Sequence, residues 1–118
     1  MGTLGCIVID CADAKRAADF WSQALEGYEV DAQEWGVTMK SETDPLIYFE
    51  VVPEGKSAKN RLHLNIQAHD REAEVARLVG LGATEVEEIR PGGGYIWTNM
   101  LDVEGNEFCV STGAELSA

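Results

Sequence analysis

Cys6 and His63 stand 57 residues apart, and the same interval separates Asp13 from Asp70. Around each pair the chain repeats one plan: a short apolar run, an Asp, an amphipathic stretch, a Gly and a valine-ending segment, seen in CIVIDCADAKRAADFWSQALEGYEV and again from Asn60 to Val86. Two potential metal ligands thus hold equivalent places in two copies of one unit. Shifting Cys109 back by the same interval gives Val52, and a two-residue slip, which keeps the strand face, gives Glu50. Thiolate, imidazole and carboxylate in the set Cys6, Glu50, His63 and Cys109 would suit Zn²⁺ or a similar borderline metal. The plainer reading of each is structural. Cysteine often behaves as a small buried hydrophobe, as Cys109 between Phe108 and Val110 would, and none of the close Cys/His spacings of structural zinc sites occurs.

His63 interrupts an apolar segment, and Asn65 and Gln67 share its face under strand alternation. That face must look into water or a polar cavity, which makes Asn65 a candidate ligand contact. Trp35, Tyr48 and Trp97 fall in strand-like runs, where an aromatic either packs the sheet or walls a ligand cavity. His69, beside a helix start, is expected in solvent. The Gly run in RPGGGY lacks the Gly-Lys-Ser/Thr ending of a phosphate loop and reads as a hairpin or a loop over a pocket mouth. No Gly-x-Ser-x-Gly nucleophile elbow is present.

The elements that must position these residues follow from periodicity. Residues 4–11 are β-branched and apolar, a strand. Asp13 caps a helix whose stripe is Ala17, Phe20, Trp21, Ala24 and Leu25, so Phe20 and Trp21 are expected in the core. Strands are predicted over 28–33, 35–40 and 46–52, then a polar linker. The second unit repeats the order: a strand over 62–68, a helix capped by Asp70 with Val75, Leu78, Val79 and Gly82 as its stripe, and strands over 84–89, 95–101 and 107–111. The expected division is a single domain with module 1 over 4–53, a linker over 54–60, module 2 over 61–112 and a loose tail over 113–118. Neither half could close a core alone.

With 21 acidic against 9 basic residues the net charge is −12. Such a surface repels phosphate backbones and anionic lipid, which excludes nucleic acid and membrane docking as main partners and suits a neutral or cationic small molecule. No apolar run is long enough to span a bilayer and no signal peptide is legible. Three cysteines, an odd number, point to reduced thiols and a cytoplasmic location rather than a disulfide framework.

The paired βαβββ plan, the DCADAKRAADFW opening, the RLHLNIQAHD strand and the WTNMLDVEGNEFCV ending resemble the vicinal oxygen chelate superfamily, the glyoxalase, bleomycin resistance and dioxygenase proteins, and within it the small glyoxalase-like domains. The likeness covers residues 4–112; its most specific piece is the final turn, usually DPEGN, where Val103 replaces the Pro. The resemblance implies an α+β fold of two βαβββ modules whose curled mixed sheets form a shared cleft, usually in a homodimer. It also implies metal ligands on the first and last strands of each unit, which fall on Cys6, His63, Glu50 and Cys109. The family commonly has His or Gln where Cys6 stands and Glu where Cys109 stands.

Two functional readings stay open. In one, a metal-free cleft holds a small molecule, as in the bleomycin resistance branch, with Trp35, Tyr48, Asn65 and Trp97 as contacts and without the full glyoxalase metal site. In the other, a divalent Zn, Ni, Mn or Fe ion serves a lyase, isomerase or dioxygenase acting on a chelating oxygenated substrate, with Glu50 as ligand or catalytic base. A vestigial regulatory domain is a third possibility.

Overall fold

The computed structural model describes residues 1–2, 4–92 and 94–112, apart from the side chain of Tyr95. The tail expected over 113–118 lies outside the described residues. The chain divides into two units, Met1–Lys56 and Ser57–Ala118.

In the first unit the order is β1 (Cys6–Cys11), α1 (Ala14–Ala24), β2 (Glu29–Ala32), β3 (Gly36–Lys40) and β4 (Leu46–Val51). The sheet runs β1-β4-β3-β2. β1 and β4 are parallel and the other pairs antiparallel, so the chain crosses over through α1 before β4 can lie beside β1. Asp13 caps α1, its carboxylate accepting from the Arg16 N–H at 3.1 Å. The apolar stripe of α1 faces β3 and β4. Phe20 and Trp21 are buried there, as their spacing predicts, and meet edge to face with centroids 5.2 Å apart. Val37, Met39, Ile47 and Phe49 are the buried sheet residues. Strand alternation therefore turns Cys6, Val8, Asp10, Thr38, Tyr48 and Glu50 to the side away from the helix.

The second unit has β5 (Leu64–Gln67), α2 (Arg71–Gly80), β6 (Thr84–Gly92), β7 (Tyr95–Leu101) and β8 (Glu107–Ser111). Its sheet runs β5-β8-β7-β6, again with the first and last strands parallel. Asp70 caps α2 by accepting from the Ala73 N–H at 3.1 Å. Three elements differ from expectation. β5 starts at Leu64, which leaves His63 just before it. β6 continues to Gly92, which pairs with Tyr95 of β7, with register irregularities between Glu85 and Glu87 and between Ile89 and Gly92. The stripe of α2 is Arg71, Val75 and Leu78, while Val79 is 44% exposed; α2 ends at Gly80, so Gly82 belongs to the following turn. An arginine can complete an apolar stripe because its methylene stem covers apolar surface while its head stays bonded.

That head ties α2 to the sheet. Arg71 Nη1 donates to Thr98 Oγ1 at 2.7 Å and Nη2 to Glu88 Oε1 at 2.6 Å; Arg90 Nε donates to Glu88 Oε2 at 2.8 Å. The bonds from Arg90 and then Arg71 hold the Glu88 carboxyl below its ordinary value of 4.5. A carboxyl depressed in the folded state stabilises above its unfolded value, and that stability is lost as pH falls through the folded one. We expect wild type to exceed Glu88→Gln in unfolding free energy at neutral pH, with the gap closing as pH drops below 4.5. Urea unfolding across that range measures it; a gap independent of pH would contradict the assignment.

Candidate functional site

In each unit the helix covers one sheet face, and every candidate residue on a strand belongs to the other. In unit 1 the β1·β4 register sets Cys6 beside Leu46, Val8 beside Tyr48 and Asp10 beside Glu50. Cys6 and Glu50 therefore lie at opposite ends of the strand pair, four residues apart, or about 13 Å at the rise of a strand. Bonds of about 2.0–2.3 Å from metal to carboxylate or thiolate cannot bridge that span. Glu50, exposed, has instead the Asp10 carboxylate as its neighbour.

The same sheet does bring Trp35 and Tyr48 together. Trp35 sits at the tip of the β2–β3 turn, which closes through the Gln33 N–H donating to the Gly36 carbonyl at 2.8 Å. The Tyr48 hydroxyl donates to the Trp35 carbonyl at 3.3 Å, and the Thr38 hydroxyl donates to Gln33 Oε1 at 3.0 Å. Trp35 itself is 67% exposed.

In unit 2, Asn65 Nδ2 donates to both Cys109 Sγ and Ser111 Oγ at 3.1 Å. Cys109 and Ser111 are buried. Trp97 is half-buried and stands opposite Ser111 across β7·β8, so Asn65, Trp97 and Cys109 share one face. Ser111 is a member the sequence reading missed; its place two residues after Cys109 was the available signal. His63 is exposed, two residues ahead of Asn65. His69 is exposed as expected.

Register also corrects the equivalence drawn between Glu50 and Cys109. Cys109 pairs with Asn65, two residues beyond His63; Tyr48 pairs with Val8, two residues beyond Cys6. The counterpart of Cys109 is thus Tyr48, and that of Glu50 is Ser111. The second unit spends more residues between its first and last strands, so one constant shift cannot align both. Among the described residues, no three His, Cys, Asp or Glu side chains are placed to hold a metal ion. Within unit 1, Cys6 and Glu50 are too far apart to share a metal ion. No helix among the described residues is long and apolar enough to cross a membrane.

A family model for the glyoxalase-like domain matches residues 6–111. The chain belongs to this family, and so to the vicinal oxygen chelate superfamily. It is similar in structure to a glyoxalase/bleomycin resistance protein/dioxygenase family enzyme from Burkholderia phytofirmans PsJN, with 18% identity, TM-score 0.76, and coverage of 94% of this chain and 98% of that one. The fosfomycin resistance protein FosX from Listeria monocytogenes, in a mutant complexed with Mn(II) and 1S,2S-dihydroxypropylphosphonic acid, is similar at 14% identity and TM-score 0.77, covering 96% and 91%. FosX from Mesorhizobium loti is similar at 16% identity and TM-score 0.73, covering 100% and 99%. No curated protein matches in sequence. At these identities the structural likeness is one of fold: α+β, with two βαβββ modules.

Proposed function

We propose that the chain binds a neutral or cationic small molecule on its helix-free sheet faces, without a complete glyoxalase metal site. On the unit 1 face the contacts are Trp35, Tyr48 and Glu50; the unit 2 face, taken by itself, offers Asn65 and Trp97. The observation that carries this reading is the strand register, which keeps Cys6 and Glu50 about 13 Å apart while seating Tyr48 against the turn that presents Trp35. An exposed indole suits a flat cation, through stacking and cation–π attraction. The net charge of −12 supports the same preference and disfavours nucleic acid and anionic membranes.

A metal-dependent lyase, isomerase or dioxygenase is the second reading, favoured by the Mn(II) complex of the FosX neighbour. Elemental analysis of untagged protein, with and without His63→Ala, separates the two. We expect substoichiometric metal that does not depend on His63; stoichiometric metal lost in His63→Ala would overturn the metal-free reading. In parallel, the planar quaternary cation ethidium should bind wild type and lose about tenfold in affinity with Trp35→Ala, the worth of one stacked cation–π contact. Equal affinity in the variant would remove Trp35 from the site.

A further inference from the structure

We infer that Gly36 and the Tyr48 hydroxyl form a latch that fixes the turn carrying Trp35, which makes Gly36 a specificity-determining position; the functional part of this rests on the binding reading above. Gly36 is not among the glycines with positive φ, which among the described residues are Gly27, Gly82, Gly92, Gly94 and Gly105. Its backbone would accept any residue, so the glycine answers a need for space. A Cβ at this position would stand 2.5 Å from the Phe49 carbonyl oxygen and 2.7 Å from Tyr48 Cζ, and would also collide with the Tyr48 hydroxyl. The phenol and the Phe49 carbonyl together fill that space. Tyr48 is in register with Thr38, and Gly36 with Glu50, so the ring runs along β3 from the level of Thr38, lies over Gly36 and reaches the Trp35 carbonyl.

Gly36 is buried as a result, although it borders an exposed turn. The Gln33 to Gly36 bond and the Thr38 to Gln33 bond brace the other side of the turn. The Trp35 backbone is therefore held in place while its indole stays open to solvent. A ligand stacking on a held indole pays less ordering entropy than one that must first gather a loose turn. Glu50, the register partner of Gly36, places its carboxylate on the same face.

The test uses protein labelled with 5-fluorotryptophan. Its three tryptophans give three fluorine resonances, and Trp35→Phe assigns the one that matters. Tyr48→Phe keeps the ring and removes only the hydroxyl. We expect the Trp35 resonance to narrow and move towards its unfolded position, while that of Trp21, on the buried stripe of α1, stays put as the control for an intact fold. Ethidium affinity should fall about fivefold, the worth of one hydrogen bond, and Gly36→Ala should show both changes more strongly. An unmoved Trp35 resonance in Tyr48→Phe would overturn the latch whatever the dye does. If the resonance moves but wild type takes up no ethidium, the latch stands and the binding of flat cations falls.

Discussion

Asp102→Ala will lower the unfolding free energy by about 2–4 kcal/mol, because it leaves two backbone N–H groups without their acceptor. Asp102 is 4% exposed. Its Oδ1 accepts from the Glu104 N–H at 2.8 Å and from the Asn106 N–H at 2.9 Å. The main chain closes the same turn, with the Asp102 N–H donating to the Asn106 carbonyl and the Gly105 N–H to the Asp102 carbonyl; Gly105 adopts φ +82. The turn also touches α2's exit, since a Cβ on Gly82 would meet Val103 Cγ1 at 2.9 Å. Loss of the carboxylate thus loosens the β7–β8 connection and the end of α2 together. Asp102→Asn keeps one carbonyl acceptor and should recover at least half of the loss. Urea unfolding with an unchanged slope measures both variants. A cost for Asp102→Ala below about 1 kcal/mol would mean that water replaces the carboxylate freely.

This turn was legible in the sequence because its chemistry is local: an Asp, a Gly and an Asn at fixed offsets can satisfy one another without distant partners. The helix starts were legible for the same reason. Asp13 and Asp70 each accept from the N–H three residues on. Strand faces follow from alternation, which puts Asn65 and Gln67 on one face and the buried Ile66 on the other. Where the sequence misled, a distant partner decided the outcome. Arg71 reads as a polar residue at a helix start, yet Thr98 and Glu88 hold it in the buried stripe. Val79 has the right type and spacing for that stripe but is exposed.

The candidate site divides along the same line. Cys6 and His63 share one interval to the helix caps, although Cys6 opens β1 and His63 stands just before β5. The last strands are another matter, because their register depends on how many residues lie between them and the first strands, and insertion in a hairpin costs little. Hence Glu50 lost its supposed equivalence to Cys109, and Tyr48 took it. The role of Gly36 was hidden for a further reason. A glycine after a tryptophan reads as part of a turn, whereas here the residue makes room for the Tyr48 ring and the Phe49 carbonyl of the neighbouring strand.

Arg71→Met should destabilise the protein by about 2–3 kcal/mol even though methionine retains most of the apolar stem, since a buried charge-assisted hydrogen bond is lost. Arg71 is 8% exposed and Thr98 fully buried, so water does not readily restore what the guanidinium gave. The Glu88 arm adds less: that carboxylate is partly exposed and keeps Arg90 as a partner. A cation in the first turn of α2 is also opposed by the helix dipole, which leaves the bonds to the sheet as the reason it stays there. If the hydroxyl is what Arg71 satisfies, removing both should cost less than the two single losses together. We therefore expect Arg71→Met with Thr98→Val to be more stable than Arg71→Met alone, by about 1 kcal/mol, as apolar replacements of similar volume commonly restore a broken buried polar pair. Chemical denaturation of the four proteins closes the double-mutant cycle. Strict additivity would show that Arg71 and Thr98 are not coupled, and the anchoring of α2 would then have to rest on Val75 and Leu78 packing alone.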